Sequence, residues 1–162
     1  MTDISNIIQE HQAIIFKISS LYSNSEEERK DLQQDIVYHI CKGYPKFNQN
    51  SKVSTWIYRV ALNTAITHLR KSKRKFPSIR LEDSHHDIAD TNPWFDFDEE
   101  SKKIYALIRQ LNDLDKTIMF LYLDDNSYED IARIVGISES NVGTKISRLK
   151  KQVIEAYHQL KE

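Results

Sequence analysis

The sequence predicts an all-α fold: two small helical domains joined by an acidic linker, the C-terminal one a helix-turn-helix. Glycine and proline are scarce, with three of each in 162 residues, which favours long helices over a turn-rich β fold. Apolar residues recur at three- and four-residue spacing before and after residues 76–98, whereas residues 76–98 themselves show no helical periodicity. We therefore divide the chain into a domain at 1–75, a linker at 76–98 and a domain at 99–162.

The first domain is predicted to contain three helical segments, at about 4–22, 31–42 and 54–72. The polar residues 23–28 connect the first two segments, and Gly43, Tyr44 and Pro45 end the second. A polar loop at 46–52 with one aromatic residue leads into the third segment, which ends in a basic run at 70–75. Cys41 is the one cysteine and cannot form an internal disulfide, so we expect a reducing compartment. It lies in an apolar pattern, which predicts a buried thiol, with a reactive thiol as the alternative.

Residues 127–151 of the second domain read as two short helices joined by a tight turn. Ile131, Ala132 and Val135 share one face of the first helix, and Val142, Ile146 and Leu149 share one face of the second. Between the helices, Gly136 tolerates the left-handed backbone that ends a helix, and the Ser138 hydroxyl can cap the next one. The outward face of the second helix is small, polar and partly basic, which suits a helix in a DNA major groove. A helical hairpin buried in a core is the alternative.

Charge is distributed unevenly although the net charge is only −1. Residues 36–81 contain ten Lys or Arg and no acidic residue, whereas residues 82–100 contain eight acidic residues and no Lys or Arg. Such asymmetry indicates a nucleic-acid surface beside an acidic segment that could screen it or imitate nucleic acid. Ordinary solvated faces are the alternative.

Other function classes find little support. The N-terminus has no signal-peptide pattern and no run of eighteen apolar residues occurs, so we expect a cytoplasmic protein. His85, His86, Asp87 and Asp90 are set aside as a metal site, because adjacent histidines point in different directions and no CxxC or HExxH motif is present. We find no phosphate-binding glycine loop or nucleophile motif, and expect no catalytic residue, cofactor or metal.

Two separate segments resemble the extracytoplasmic-function (ECF) group of bacterial sigma factors. In the first domain, DLQQDIVYHICKGYPKFN is similar to the family's polymerase-binding helix, and STWIYRVALNTAITHLRKSKR to its promoter-melting helix. In the second domain, LNDLDKTIMFLYLDDNSYEDIARIVGISESNVGTKISRLKK is similar to its second DNA-binding domain. The resemblance implies a subunit without catalysis that binds core RNA polymerase and directs it to a promoter, where it recognises the −35 and −10 elements and helps to melt the DNA.

For the −10 element, the resemblance implies a flipped base held by the polar loop and by Asn63, with basic side chains on phosphates. Trp56 would support the loop from beneath or stack at the melted edge; packing in the core is the alternative. The residues expected at this site are Phe47, Asn48, Ser51, Trp56, Arg59, Asn63, Arg70, Lys71 and Arg74.

For the −35 element, the residues expected to contact DNA are Gly143, Thr144, Lys145, Ser147, Arg148 and Lys150. Arg148 is the best candidate for bidentate guanine recognition. Gly143 and Ser147 depart from the arginine and larger residues of some members, which predicts a weaker or differently specified contact.

The resemblance also implies the partners. Asp31, Leu32, Gln34, Asp35 and Ile36 would bind the clamp of the largest polymerase subunit. The flap of the second subunit, promoter DNA and an anti-sigma factor complete the expected partners of a chain that is monomeric when free. A stand-alone dimeric helix-turn-helix regulator is the main rival, and an adaptor that binds polymerase but never DNA is a more distant one.

Overall fold

The computed structural model describes residues 3–75 and 98–161, with side chains in the first stretch described as far as Lys71. The described chain is almost entirely α-helical and contains no β-strand, which confirms the predicted fold class. It divides into two compact units, before and after residue 96. None of the described helices is both long and apolar enough to cross a bilayer. The predicted linker and the set-aside histidine pair lie outside the described residues, except for Asp98.

The first unit packs α2, α3 and α4 against one another. Its helices are α1 (Ile4–Glu10), α2 (Gln12–Leu21), α3 (Glu26–Gly43) and α4 (Val53–Lys75), with a short 3-10 turn at Tyr44–Lys46. The core is formed by fully buried aliphatic side chains, among them Ile18, Leu21, Leu32, Ile36, Ile40 and Ile57. These residues recur every three or four positions, so each helix presents one apolar stripe to the others.

Three expectations for the first unit need correction. The predicted segment 4–22 is two helices, because the chain turns at His11, whose ring Nδ1 lies 2.9 Å from the Ile7 carbonyl oxygen. Cys41 is exposed rather than buried, since the core stripe of α3 passes through Ile36 and Ile40. The second predicted segment begins before residue 31, because α3 starts at Glu26, where the Ser25 hydroxyl oxygen accepts the Glu28 backbone N–H at 3.1 Å.

The second unit contains α5 (Glu99–Arg109), α6 (Asp113–Leu123), α7 (Tyr128–Val135) and α8 (Glu139–Lys161). Its core includes Ile108, Ile118, Leu121, Ile131, Val142 and Ile146, all with at most 1 % of their surface exposed. Asp98, the last residue of the predicted linker, accepts the Ser101 backbone N–H at 2.8 Å through its carboxylate and so caps α5. That hydrogen bond lowers the pKa of Asp98.

The predicted helix-turn-helix is present, as α7, a tight turn and α8. Gly136 has a φ of +79°, the left-handed conformation that glycine adopts without steric cost. Ile131 is buried as predicted, but Ile134 is the other buried residue of α7, whereas Ala132 and Val135 are only half-buried. The second helix is not short: α8 continues for 23 residues, and its later part packs Val153 against α5 and α6 through Ile108 and Met119.

Candidate nucleic-acid interface

The recognition helix, which is the second helix of the helix-turn-helix (α8), begins with a hydroxyl cap. The Ser138 side-chain oxygen accepts the backbone N–H of Asn141 at 3.1 Å, and Ser127 caps α7 in the same way through Asp130 at 3.1 Å. These bonds satisfy N–H groups that the helices leave unpaired at their first turns. Val142, Ile146 and Leu149 are buried as predicted, which directs the opposite side of α8 outward.

Replacing Ser138 by Ala should weaken this start of α8 by about 1 kcal/mol, because the capped N–H loses its acceptor. Ser140→Ala is the matched control, since the exposed Ser140 uses only its backbone carbonyl, which accepts the Thr144 hydroxyl. Hydrogen exchange of the α8 backbone amides in the full chain measures the difference. Equal protection in the two variants would contradict the assignment of Ser138 as the cap.

One flank of the recognition helix is held against α6 by an ion pair. The Lys145 ammonium donates a hydrogen bond to the Asp115 Oδ1 at 3.0 Å, and the Asn112 side-chain amide donates to Oδ2 at 2.9 Å. The Asp115 side chain is only 17 % exposed. Lys145 was predicted to contact DNA. The structure places its ammonium on a carboxylate of the same unit, at the edge of the exposed face of α8.

A double-mutant cycle should show this coupling. We expect Lys145→Ala and Asp115→Asn each to destabilise the second unit, and the double variant to lose less than the sum by about 1 kcal/mol. Hydrogen exchange in α6 and α8 provides the measurement. Additive effects would mean that the ion pair contributes nothing to the position of α8.

The other flank of α8 lies against two tyrosines. The Lys150 Nζ lies 4.4 Å from the centroid of the Tyr122 ring, and a hydrogen bond to Tyr122 raises the pKa of this lysine. Nearer the start of α8, the ring of Tyr128 packs against Gly143, and the two tyrosine rings are 6.4 Å apart. Lys150 keeps its charge and remains exposed, but its ammonium lies at the edge of the helix.

Between these flanks lies the exposed face of α8. Thr144, Ser147 and Arg148 of the predicted set are exposed there, as are Ser140, Asn141 and Lys151. Gly143 and Lys145 are half-buried at the edges. The sequence pattern did not reveal Asp115, Tyr122 or Tyr128 as the groups that hold α8, because such contacts join residues far apart in the sequence. The spacing of neighbouring residues predicted the helix α8 itself, but not the side chains that pack against it.

In the first unit, Trp56 lies beneath the loop that precedes α4. Its ring centroid is 5.1 Å from that of Phe47 and 6.2 Å from that of Tyr44. A side-chain carbon on Gly43 would come within 3.1 Å of the Trp56 ring, so the glycine makes room for the indole. Trp56 is half-buried. Of the predicted roles, the contacts favour loop support over an exposed stacking position.

The loop itself presents polar groups above this aromatic cluster. The Asn48 side-chain oxygen accepts the backbone N–H of Asn50 at 3.3 Å, and Gln49 between them has a φ of +59°. Asn48, Gln49 and Asn50 are exposed, whereas Phe47 and Ser51 are half-buried. The loop is therefore a tight polar turn on an aromatic base.

The predicted DNA-facing residues of α4 are accessible as far as they are described. Arg59, Asn63, Arg70 and Lys71 are exposed, and the Arg74 side chain lies outside the described part. Asn63 and Lys71 line a cleft of about 450 Å³ between α3 and α4, with Asp35, His39, Thr67 and His68. The His68 Nδ1 is 3.7 Å from the Asp35 Oδ2. The same cleft is thus lined by Asn63, which was predicted to bind DNA, and by Asp35, which was predicted to bind polymerase.

The predicted polymerase surface on α3 is smaller than the sequence suggested. Asp31, Gln34 and Asp35 are exposed. Leu32 and Ile36 have 0 % of their surface exposed, so neither side chain can touch a partner while the unit is folded. They belong to the core, and they support the exposed face from inside.

Comparison with protein-family models matches residues 7–75 to sigma-70 region 2 and residues 101–153 to sigma-70 region 4. The two matches together span most of the chain, in the order that the sequence analysis expected. The chain belongs to the sigma-70 family. Region 2 falls in the first compact unit, and region 4 falls in the second with the helix-turn-helix.

Individual relatives confirm the expected resemblance to the ECF group of the sigma-70 family. The chain is 23 % identical over 147 residues to the ECF RNA polymerase sigma factor SigM of Mycobacterium tuberculosis, covering 91 % of this chain and 73 % of SigM. It is 25 % identical to the RNA polymerase sigma-H factor of Pseudomonas aeruginosa, covering 95 % and 86 % of the two chains.

A solved structure supports the same fold. The sigma factor RpoE of Bartonella quintana, crystallised in complex with the anti-sigma factor NepR, matches with a TM-score of 0.67. The match covers 93 % of this chain and 95 % of RpoE at 18 % identity, and at this identity it establishes the sigma-factor fold alone.

Proposed function

We propose that the chain is an ECF-type sigma factor, a dissociable subunit that binds core RNA polymerase and directs promoter-specific initiation of transcription. The observation that carries this proposal is the pair of sigma-70 matches, regions 2 and 4, on two compact helical units. A helix-turn-helix alone would fit many repressors, but a repressor has no need of region 2. The chain supplies recognition, and the polymerase supplies the chemistry.

For the second unit we propose recognition of the −35 element by the exposed face of α8. Thr144, Ser147 and Arg148 lie at its centre and would face base edges in the major groove, with Arg148 able to bind guanine through two hydrogen bonds. Lys150, at the edge, would bind a phosphate. Lys145 would act indirectly, by keeping α8 at its angle to α6 through Asp115.

For the first unit we propose recognition and opening of the −10 element. The polar turn at Asn48, Gln49 and Asn50 offers hydrogen-bonding groups to an unstacked base, and Trp56 with Phe47 keeps the turn in place. Along α4, Arg59, Arg70 and Lys71 are exposed and would bind phosphates. Residues 1–75 and 99–162 would then act as two DNA-binding domains.

We propose that the clamp of the largest polymerase subunit binds the exposed side of α3, through Asp31, Gln34 and Asp35. The flap of the second subunit is the partner proposed for the second unit. An anti-sigma factor is a further proposed partner, supported by the complex in which the similar RpoE was crystallised. Work on RNA polymerase would place the chain in the cytoplasm.

The rival function, a dimeric operator-binding regulator, makes a different prediction about DNA binding. Fluorescence anisotropy would be measured on labelled promoter fragments with the chain alone, with core polymerase alone and with both. A sigma factor should give sequence-specific binding only with both components, and should sediment as a monomer when free. Tight specific binding by a dimer of the chain alone would overturn the proposal in favour of the regulator.

A further inference from the structure

Tyr128 lies beside the recognition helix although it belongs to α7. It is the first residue of α7, and 38 % of its surface is exposed. Its ring atoms Cε2 and Cδ2 are 3.5 and 3.7 Å from the position that a side-chain carbon on Gly143 would take. Those distances are ordinary van der Waals contacts. The edge of the tyrosine ring therefore covers the place on α8 where the glycine has no side chain.

The surroundings of this ring edge are small and polar. Ser140 and Ser147, one turn before and one turn after Gly143 on α8, are both exposed and short. Lys150, which follows on the same flank, has its ammonium over the Tyr122 ring. Tyr128 is therefore a partly exposed aromatic residue whose ring borders the exposed face of α8.

We propose that Tyr128 is a specificity-determining residue of the −35 contact, and that its partly exposed ring beside Gly143 binds the C5-methyl group of a thymine. The inference rests on the proposed −35 recognition by α8. Ring C–H groups form no strong hydrogen bonds with base edges, and the thymine methyl is the apolar group that a base presents in the major groove. Because residue 143 is a glycine, no side chain at that position competes with the methyl group for contact with the ring.

The phenolic hydroxyl offers a competing role, because tyrosine also binds DNA phosphates. The two roles differ in what a variant would change. A phosphate contact requires the hydroxyl and affects all sequences alike, whereas a methyl contact requires the ring and affects one base pair. Tyr128→Phe keeps the ring and removes the hydroxyl, and Tyr128→Gln keeps a long side chain and removes the ring.

The experiment uses the chain with core polymerase on a promoter that it transcribes. Each thymine of the −35 element is replaced in turn by deoxyuridine, which removes only the methyl group. With the unchanged chain, we expect transcript yield at limiting holoenzyme to fall about three- to fivefold at one position, the effect of one buried methyl group. Tyr128→Phe should keep that ratio, whereas Tyr128→Gln and Tyr128→Ala should bring it close to one.

Each other outcome counts against the inference. Insensitivity of the unchanged chain to deoxyuridine at every position would overturn it, as would an equal methyl effect in the ring-deleted variants. A uniform loss in Tyr128→Phe without any methyl effect would assign the hydroxyl to a phosphate and overturn it too. Failure to find any promoter that the chain transcribes with core polymerase would overturn the proposed function and the inference with it, so the two failures are distinguishable. Because the measured quantity is a ratio for each variant, a general loss of stability cancels.

Discussion

Arg148→Ala is expected to reduce transcription from promoters that depend on a −35 element by about ten- to a hundredfold, the effect of losing one bidentate guanine contact. Arg148 is exposed at the centre of the outward face of α8, between the flanks that hold the helix. Run-off transcription at limiting holoenzyme would measure the loss. Substitution of the contacted guanine should produce the same loss, and should have little further effect on the variant.

Arg133→Ala is the matched control for this prediction. Arg133 is an exposed arginine of the same unit, but its guanidinium pairs with Glu129 at 2.8 Å on α7. Its removal should change transcription less than twofold, since exposed pairs of this kind contribute little to stability. If Arg148→Ala had no more effect than Arg133→Ala, α8 would not read DNA through this residue.

Trp56→Ala is expected to destabilise the first unit by about 2–3 kcal/mol and to impair promoter opening. The substitution removes the indole that packs against Phe47 and Tyr44, so the polar turn loses its base. Urea unfolding of the full chain would measure the stability. Permanganate reactivity of unpaired thymines in the promoter complex would measure opening, which we expect to fall while binding of core polymerase is retained.

Trp56→Phe distinguishes packing of the aromatic ring against the loop from a direct contact between the indole and DNA. Phenylalanine keeps an aromatic ring against Phe47, so it should retain most of the stability and most of the opening. The account would be contradicted if Trp56→Phe abolished opening as fully as Trp56→Ala while the first unit stayed equally stable. Such a result would mean that the indole itself contacts DNA.

The features that the sequence predicted well are those that depend on neighbouring residues. The spacing of Val142, Ile146 and Leu149 identified the buried side of α8, and Gly136 and Ser138 identified the turn before it. Helical period, a left-handed glycine and a hydroxyl cap each act over a few residues. A single sequence therefore contains all the information they need.

The features that it did not predict depend on contacts between distant residues. Lys145 has the charge and position of a DNA-binding lysine, and only the structure shows that its ammonium also pairs with Asp115 of α6, thirty positions earlier in the chain. Leu32 and Ile36 lie within the segment that resembles the polymerase-binding helix, but a segment has a buried side as well as an exposed one. The resemblance identified α3 as the polymerase-binding helix, and only the packing of the unit shows which of its side chains are exposed to a partner.

The placement of Cys41 illustrates the same limit within one helix. Its neighbours Ile36 and Ile40 are fully buried, and a count of apolar residues would include the cysteine with them. Successive side chains of an α-helix such as α3 point in directions about 100° apart, so the residue after a buried one can face solvent. The exposed thiol follows from that rotation.

Run-off transcription with core RNA polymerase freed of other sigma factors is the most direct test of the central claim. The purified chain would be added to the core enzyme with a library of promoter fragments. Defined transcripts that require both the chain and shared −35 and −10 sequences are the result that the account predicts. Absence of any such transcript, from a chain that is folded and binds duplex DNA by itself, would contradict it.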